Sequence, residues 1–183
     1  MTKSHIFVKS IDIKDIAVIG GGYIGVEAAE NLREAGYNVA LIEATDQILR
    51  PFDYDMVQIF HKKIYDKGID LIVGDKVEKF KKDTVILSSG KKINAKVVVM
   101  AIGVSPETAL AKGADLEMGE TGAIKVDQNY KTNDDSIYAV GDAIEVYNSL
   151  THSMAKLSLA GPAQKEARSV ADHINGKKAL NKG

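Results

Sequence analysis

The stretch Asp15-Ile-Ala-Val-Ile-Gly-Gly-Gly-Tyr-Ile-Gly-Val-Glu27 decides how the first part of this chain folds. Four apolar residues, Ile16 to Ile19, run without polar interruption, which is typical of a strand buried on both faces of a parallel sheet. The pattern Gly-x-Gly-x-x-Gly follows directly, and apolar residues then recur at helical spacing as far as Gly36, which ends the helix. The order of strand, glycine turn and helix predicts the start of a βαβ unit.

Each glycine of the pattern has its own physical role in that unit. Gly20 allows the tight turn out of the strand, Gly22 lets a pyrophosphate approach the backbone, and Gly25 lets the helix pack close to the sheet. The helix N-terminus offers free N–H groups and the positive end of the helix dipole to phosphates. These features predict a dinucleotide site, and the alternative is a glycine-rich connector in an ordinary α/β protein.

The acid that ends the next apolar run, Glu43, predicts which nucleotide fits. A carboxylate at this place accepts hydrogen bonds from ribose hydroxyls and repels a 2′-phosphate. The three residues after it offer no cation, and Arg50 is the only nearby candidate. We therefore expect NAD(H) to be preferred over the phosphorylated nucleotide.

Composition bounds the class of protein. The 183 residues are 45% apolar and 27% charged with a net charge of -1, which is typical of a soluble globular protein and gives no reason to expect nucleic acid or a membrane as partner. The absence of cysteine excludes disulfides, thiolate metal sites and a cysteine nucleophile. No apolar run approaches a membrane span and the first residues lack the apolar core of a signal peptide, so a cytoplasmic location is predicted.

The four histidines carry no sign of a metal site. They are dispersed without ligand spacing, and we interpret them as surface or helix-face residues: His5, His61, His152 and His173. The Tyr-x-x-x-Lys, Gly-x-Ser-x-Gly and His-Glu-x-x-His motifs are absent as well, which argues against a short-chain dehydrogenase and the corresponding hydrolases.

The first hundred residues predict an α/β fold with a Rossmann-like parallel sheet. A second helix is expected from about Asp53 to Lys67, with Met56, Phe60 and Ile64 as its apolar stripe, before a third strand. Three short segments with period-two alternation follow, at 76–81, 84–88 and 91–94, and predict an antiparallel β-meander as the crossover. The apolar run from 97 to 102 then returns to the parallel sheet.

Beyond Gly103 the pattern changes. A short helix is expected over 107–112, and strands over Ala123–Val126 and Ser136–Asp142. The sequence Leu159-Ala-Gly-Pro162 predicts the start of a helix that continues to Gly176.

Four features in a fixed order resemble the FAD-dependent pyridine nucleotide-disulfide oxidoreductases. They are Gly20-Gly-Gly-Tyr-Ile-Gly-Val-Glu27, Ala101-Ile-Gly-Val-Ser-Pro106, Thr132 through Ile137-Tyr-Ala-Val-Gly-Asp142, and Leu159-Ala-Gly-Pro-Ala-Gln-Lys-Glu-Ala-Arg168. The likeness is closest to the branch of NADH oxidase, NADH peroxidase and coenzyme A-disulfide reductase.

The resemblance implies a division of the chain. Residues 1–14 would be an entry linker, 15–103 the NAD(H)-binding domain, 104–176 the returning part of an FAD-binding domain, and 177–183 a tail. The family's N-terminal FAD segment with its own glycine pattern, and its C-terminal dimerisation domain, have no counterpart in this sequence. The chain is therefore expected to be a fragment, an engineered domain or a decayed relative of the family. By itself it is expected to be inactive, and a homodimer is one expected form.

Site residues also follow from the resemblance. Asp142 would bind the flavin ribityl chain, although a turn aspartate is the alternative, and the helix start near Gly161 would face the flavin N1/C2=O edge. Tyr23 would cover the flavin until nicotinamide displaces it, and Glu27 would lie near the nicotinamide. The alternatives are an ordinary helix residue for Tyr23 and a glutamate that complements the helix dipole for Glu27. No catalytic or metal-binding residue is expected. The cofactor-binding set is Gly20, Gly22, Tyr23, Ile24, Gly25, Glu43, Ala101, Gly103, Gly141, Asp142, Leu159 and Ala160.

The predicted function is the NAD(H)-binding portion of an enzyme that passes hydride from NADH to FAD and then to a disulfide, persulfide, peroxide or oxygen. The alternative is a stand-alone dinucleotide-binding or regulatory module without redox turnover.

Overall fold

The chain forms two units, which follow each other in sequence at Gly103 and Val104. A computed structural model describes residues 13–177. The entry linker predicted for 1–14 lies almost wholly outside the described residues, and so does most of the tail predicted for 177–183.

The first unit contains a parallel sheet, two helices and a meander. Its elements are β1 (Asp15–Ile19), α1 (Tyr23–Glu34), β2 (Asn38–Ile42), α2 (Tyr54–Asp66), β3 (Asp70–Ile72), β4 (Val77–Lys81), β5 (Thr84–Leu87), β6 (Lys92–Asn94) and β7 (Val97–Met100). The parallel sheet has the order β3-β2-β1-β7, with β1 in the interior between β2 and β7. This confirms the predicted Rossmann-like α/β fold.

Alternate side chains of β1 and β2 enter two different cores. Val18 and Leu41 pack with apolar residues of α1 and α2 on one face of the sheet. Ala17 and Ile42 pack with the meander residues Val85 and Leu87 on the other. Because both faces are covered, the strands carry the uninterrupted apolar runs seen in the sequence.

The meander is the crossover between β3 and β7. Strands β4, β5 and β6 form an antiparallel sheet in sequence order. On β5 the side chains of Val85, Ile86 and Leu87 are all buried. The predicted replacement of a crossover helix by an antiparallel meander is confirmed.

The predicted apolar stripe of α2 is wrong in two of its three residues. Met56 and Phe60 are 57% and 47% exposed, whereas Val57, His61 and Ile64 are buried. Each residue turns the helix by about 100°, so the stripe that faces the sheet lies one residue further along the helix than expected. Because His61 is not apolar, a search for spaced apolar residues does not detect this buried stripe.

The second unit has little regular structure before its last helix. Its elements are α3 (Ala109–Gly113), one turn of 3-10 helix (Gly141–Ala143), β8 (Val146–Asn148), β9 (Ser153–Ala155) and α4 (Ala160–Ile174). Strands β8 and β9 form an antiparallel pair. The helix starting at Leu159–Pro162 is confirmed, with Leu159 as its N-cap residue.

The strands predicted over Ala123–Val126 and Ser136–Asp142 do not form as regular strands. The first makes isolated bridges through Ile124, and the second makes one through Tyr138. Backbone groups here are used in turns, as in the 3.0 Å bond from the Ile137 N–H to the Asp134 carbonyl. An apolar run becomes a strand only where a neighbouring strand accepts a continuous ladder of hydrogen bonds.

Candidate functional site: a glycine turn and its cavity

The turn between β1 and α1 requires glycine at two positions. Gly20 has a φ of 106°, and a Cβ there would overlap the carbonyl oxygen of Ala101. A Cβ on Gly25 would overlap the carbonyl oxygen of Gly20. The first glycine therefore lets the chain turn beside β7, and the second lets α1 begin directly against that turn.

Gly22 differs from these two because space around it is open. It is the N-cap of α1, with ordinary extended dihedrals, and no atom lies within 4 Å of a Cβ built on it. No described side chain caps the first turn of α1. The N–H groups of that turn and the positive end of the helix dipole are therefore left for an anionic ligand that can approach the bare backbone.

The carboxylate of Glu43 is fixed beside the same turn. Its Oε2 accepts the Gly21 N–H at 2.6 Å, and its Oε1 accepts the N–H and the hydroxyl of Thr45, each at 2.8 Å. Burial alone would raise the pKa of Glu43, but the hydrogen bonds from Thr45 and Gly21 outweigh it and hold the pKa below its usual value. Since each oxygen has two lone pairs, Oε2 retains one acceptor position for a hydroxyl of a ligand.

These groups open onto one cavity of about 520 Å³, a volume in the usual range of small-molecule sites. The sequence-predicted residues that line it are Gly20, Gly22, Tyr23, Ile24, Glu43, Ala101 and Gly103. Gly25 lies just behind them, in contact with Gly20. Glu27 is exposed and does not line the cavity. It lies in the second turn of α1, so it is not the first-turn glutamate that would complement the helix dipole.

Sequence reasoning missed a second cation at this cavity. Lys76, from the segment between β3 and β4, lines it together with Arg50. Lys76 is 33 positions beyond Glu43 and belongs to another strand connection, so no local pattern links the two. Its place at the start of the meander, next to the carboxyl end of β3, was the one available signal.

The remaining predicted residues lie in the second unit. The Gly141 N–H donates to Glu166 Oε2 at 2.6 Å, and a Cβ on Gly141 would lie 3.4 Å from the Ala163 side chain. The turn that carries Gly141 and the exposed Asp142 is therefore packed on the first turns of α4, which begins at Leu159 and Ala160. No described side chain caps that helix, so its first N–H groups also remain for a ligand.

Glu166 is the residue of this second group that sequence reasoning missed. It is 6% exposed, although it lies on a helix rich in polar residues. Burial, and to a smaller extent the charge of Glu166, raise the pKa of the Tyr130 hydroxyl. A buried glutamate within reach of the Gly141 backbone indicates that α4 orients the turn.

His61 lies on one face of α2, which is one of the two expectations for the histidines, but that face is buried. The Ile48 N–H lies 3.4 Å from its Nε2, and burial lowers the pKa of the imidazole. The ring is thus a neutral acceptor that faces the loop after β2. Within residues 13–177, no group of three or more His, Asp or Glu side chains could hold a metal ion. In the same part of the chain, no helix combines the length and the apolar character needed to cross a bilayer.

The fold and the first site together define a class. Four features constitute a Rossmann-type fold of the kind that binds nucleotides. They are a central parallel strand, a turn that only glycine can form, an uncapped helix and an acid at the end of β2. The crossover between β3 and β7 is an antiparallel meander in place of a helix.

Residues 2–167 match the pyridine nucleotide-disulphide oxidoreductase family. NADH oxidase of Enterococcus faecalis is 29% identical over 97% of this chain and 41% of its own length. Coenzyme A disulfide reductase of Staphylococcus aureus is 28% identical over 93% of this chain and 39% of its own length. The crystal structure of reduced Bacillus anthracis CoADR-RHD superposes with a TM-score of 0.90 and 41% identity, covering 92% of this chain and 30% of that one.

This chain belongs to the pyridine nucleotide-disulphide oxidoreductase family, as the order of its four motifs predicts. It spans 41% and 39% of the two curated relatives just described. The family is one of oxidoreductases, and the predicted branch, with NADH oxidase and coenzyme A disulfide reductase among its members, is confirmed by these relatives.

Proposed function

We propose that this chain supplies the NAD(H)-binding portion of a flavin-dependent oxidoreductase that passes hydride from NADH to FAD. Electrons would then go to a disulfide, a persulfide, peroxide or oxygen. The relatives include an oxidase and a disulfide reductase, which supports the reaction class and leaves the acceptor open.

The open backbone at Gly22 is the observation that carries this proposal. A pyrophosphate can approach there without meeting a side chain, and it would receive N–H groups from the first turn of α1. Ala101 and Gly103, at the carboxyl end of β7, line the same cavity on the side away from the β2 acid. This geometry suits a dinucleotide that lies across the carboxyl ends of the parallel strands.

Glu43 would orient the adenosine half of NADH. Its remaining acceptor position at Oε2 suits a ribose hydroxyl, and its charge disfavours a phosphate in place of that hydroxyl. The low pKa of Glu43 keeps the carboxylate charged at neutral pH. Arg50 and Lys76 line the same cavity, and their positive charges would offset part of the preference for NADH over NADPH.

The second unit would hold part of the flavin. Asp142 is exposed on a turn fixed by Glu166, and its carboxylate would accept hydrogen bonds from ribityl hydroxyls. The uncapped start of α4, at Leu159 and Ala160, would direct N–H groups at the edge of the ring where negative charge develops. When bound, FAD supplies a hydride acceptor that can pass electrons onward singly or in pairs.

Ligand titration tests the NADH part of the proposal. We expect NADH and ADP-ribose to bind to the polypeptide by calorimetry, since both contain the pyrophosphate and the adenosine. Gly22→Val should abolish binding because a branched side chain fills the approach to the turn. Gly113→Val, at a glycine outside the cavity where an added Cβ also meets no atom within 4 Å, is the matched control.

Two results would count against the proposal in different ways. Unchanged NADH affinity in Gly22→Val would show that the pyrophosphate is not held at this turn. NADH binding by the natural gene product, whatever its length, with neither flavin uptake nor NADH oxidation would favour the regulatory-module alternative.

A further inference from the structure

The loop between β2 and α2 is braced against the glycine turn. The Leu49 N–H donates to the Gly21 carbonyl at 2.7 Å, and the Phe52 N–H donates to the Leu49 carbonyl at 2.9 Å. The amide of Gln47, which is 7% exposed, donates to the Phe52 carbonyl at 2.8 Å. Both backbone groups of Phe52 are therefore bonded, and the loop presents this residue in one place.

The ring of Phe52 contacts the ring of Tyr23. Their centroids are 6.2 Å apart with an angle of 77° between the planes, the edge-to-face geometry that aromatic pairs prefer. Within residues 13–177, Phe52 is the one aromatic side chain found in ring contact with Tyr23. Tyr23 lines the cavity, whereas Phe52 does not, so Phe52 supports Tyr23 from outside the cavity.

Tyr23 needs such support because of where it stands. It is the first residue of α1, directly after Gly22, and its side chain is 58% exposed. An exposed tyrosine without a packing partner distributes itself among its staggered χ1 wells. A ligand that contacts the ring in one well would then bind only the fraction of molecules in that well.

We propose that Phe52 is a positioning residue that holds the Tyr23 ring in one orientation at the edge of the cavity, ready to contact a bound dinucleotide. This inference rests on the proposed NADH site. Phe52 touches no ligand itself and acts only through Tyr23.

A double-mutant cycle measures that dependence. Phe52→Ala should weaken NADH binding about two- to threefold, because Tyr23 would then share two or three staggered wells instead of one. In a Tyr23→Ala background the same change should have no further effect. Phe52→Tyr keeps the ring and should restore the affinity. Phe80→Ala, at an exposed aromatic of β4 outside the cavity, is the matched control and should leave the affinity unchanged.

A resonance of the Tyr23 ring gives a readout that is independent of affinity. In protein with labelled tyrosines this signal is assigned by its disappearance in Tyr23→Ala. We expect Phe52→Ala to move it, since the neighbouring ring current is lost, while Phe80→Ala leaves it in place. Thermal unfolding of each variant without ligand shows whether the fold is retained.

The outcomes separate this inference from the function on which it rests. Absence of NADH binding in the unaltered protein would overturn the proposed function and the inference with it. Normal NADH binding, with equal losses from Phe52→Ala in both backgrounds or an unmoved Tyr23 resonance, would overturn only the role of Phe52.

Discussion

Two glycines of the same turn should respond to alanine in opposite ways. A methyl group on Gly25 overlaps the carbonyl oxygen of Gly20 and comes within 3.4 Å of the Ala101 side chain. A methyl group on Gly22 meets no atom within 4 Å, and the backbone there has a φ of -74°, which alanine adopts freely. We therefore expect Gly25→Ala to damage the fold and Gly22→Ala to damage ligand binding.

The magnitudes follow from the contacts. Overpacking against backbone atoms costs about 1–3 kcal/mol, and the higher helix propensity of alanine at the third residue of α1 returns up to about 1 kcal/mol. Because the overlap is with a carbonyl oxygen of the backbone, which cannot move aside as a flexible side chain can, the cost lies near the upper end of that range. The net loss is then about 2 kcal/mol, which lowers the Tm of a protein of this size by roughly 4–8 °C. For Gly22→Ala, alanine is a poorer N-cap residue than glycine but also reduces the conformational entropy of the unfolded chain. These two effects oppose each other, so the free energy of unfolding should stay within about 1 kcal/mol of the unaltered value.

Thermal unfolding with and without NADH is the assay. NADH at one hundred times its Kd should stabilise the unaltered protein by about 2.7 kcal/mol. Gly22→Ala should keep the Tm of the free protein and lose most of the NADH-dependent increase. Gly113→Ala serves as control for a glycine outside the cavity. A full NADH-dependent increase in Gly22→Ala, or an unchanged Tm in Gly25→Ala, would refute the reasoning about that position.

Three further predictions concern charge, pH and turnover. The protein should bind NADH more tightly than NADPH by about 2 kcal/mol. Glu43→Arg should narrow or reverse this preference, and it should also weaken NADH binding because the hydrogen bonds from Gly21 and Thr45 are lost. Calorimetry with both nucleotides measures the two affinities. Burial holds the pKa of His61 in the folded protein below the ordinary value of 6.5, so the unfolded chain binds more protons than the folded protein as the pH drops through that value. The free energy of unfolding should therefore fall as the pH drops, and it should fall less in His61→Gln. Urea titrations at several pH values measure this. The 183-residue polypeptide alone should be colourless and should not reduce oxygen, peroxide or coenzyme A disulfide with NADH. The proposed function uses the one glycine pattern of this type in its sequence for NADH, which leaves no second pattern for the pyrophosphate of FAD. Absorbance and NADH consumption measure this.

Each of these predictions has an opposing result. Equal affinities for NADH and NADPH would show that Glu43 does not discriminate, as would happen if Arg50 and Lys76 receive the 2′-phosphate. Identical pH profiles for His61→Gln and the unaltered protein would remove the imidazole from the acid response. Stoichiometric FAD with steady NADH oxidation would show that residues 1–183 suffice for the reaction.

Local chemistry let the sequence determine the architecture of the first unit. The uninterrupted run from Ile16 to Ile19, followed by glycines, predicts a buried strand and a turn, since hydrophobic period and glycine conformations are properties of neighbouring residues. The change to period two after β3 likewise predicts the meander. Glu43 could be selected because an acid at the tip of the second strand has a fixed place relative to the glycine turn.

The tertiary structure alone decided which side chains meet. The buried face of α2 runs through Val57 and His61, because the direction of the sheet, and not the apolar pattern, sets the rotation of the helix. Lys76 reaches the cavity of Glu43, and Phe52 reaches the ring of Tyr23, across distances in sequence that no period connects. Propensity and period act over a few residues, whereas burial and contact depend on chain segments brought together only when the whole unit packs.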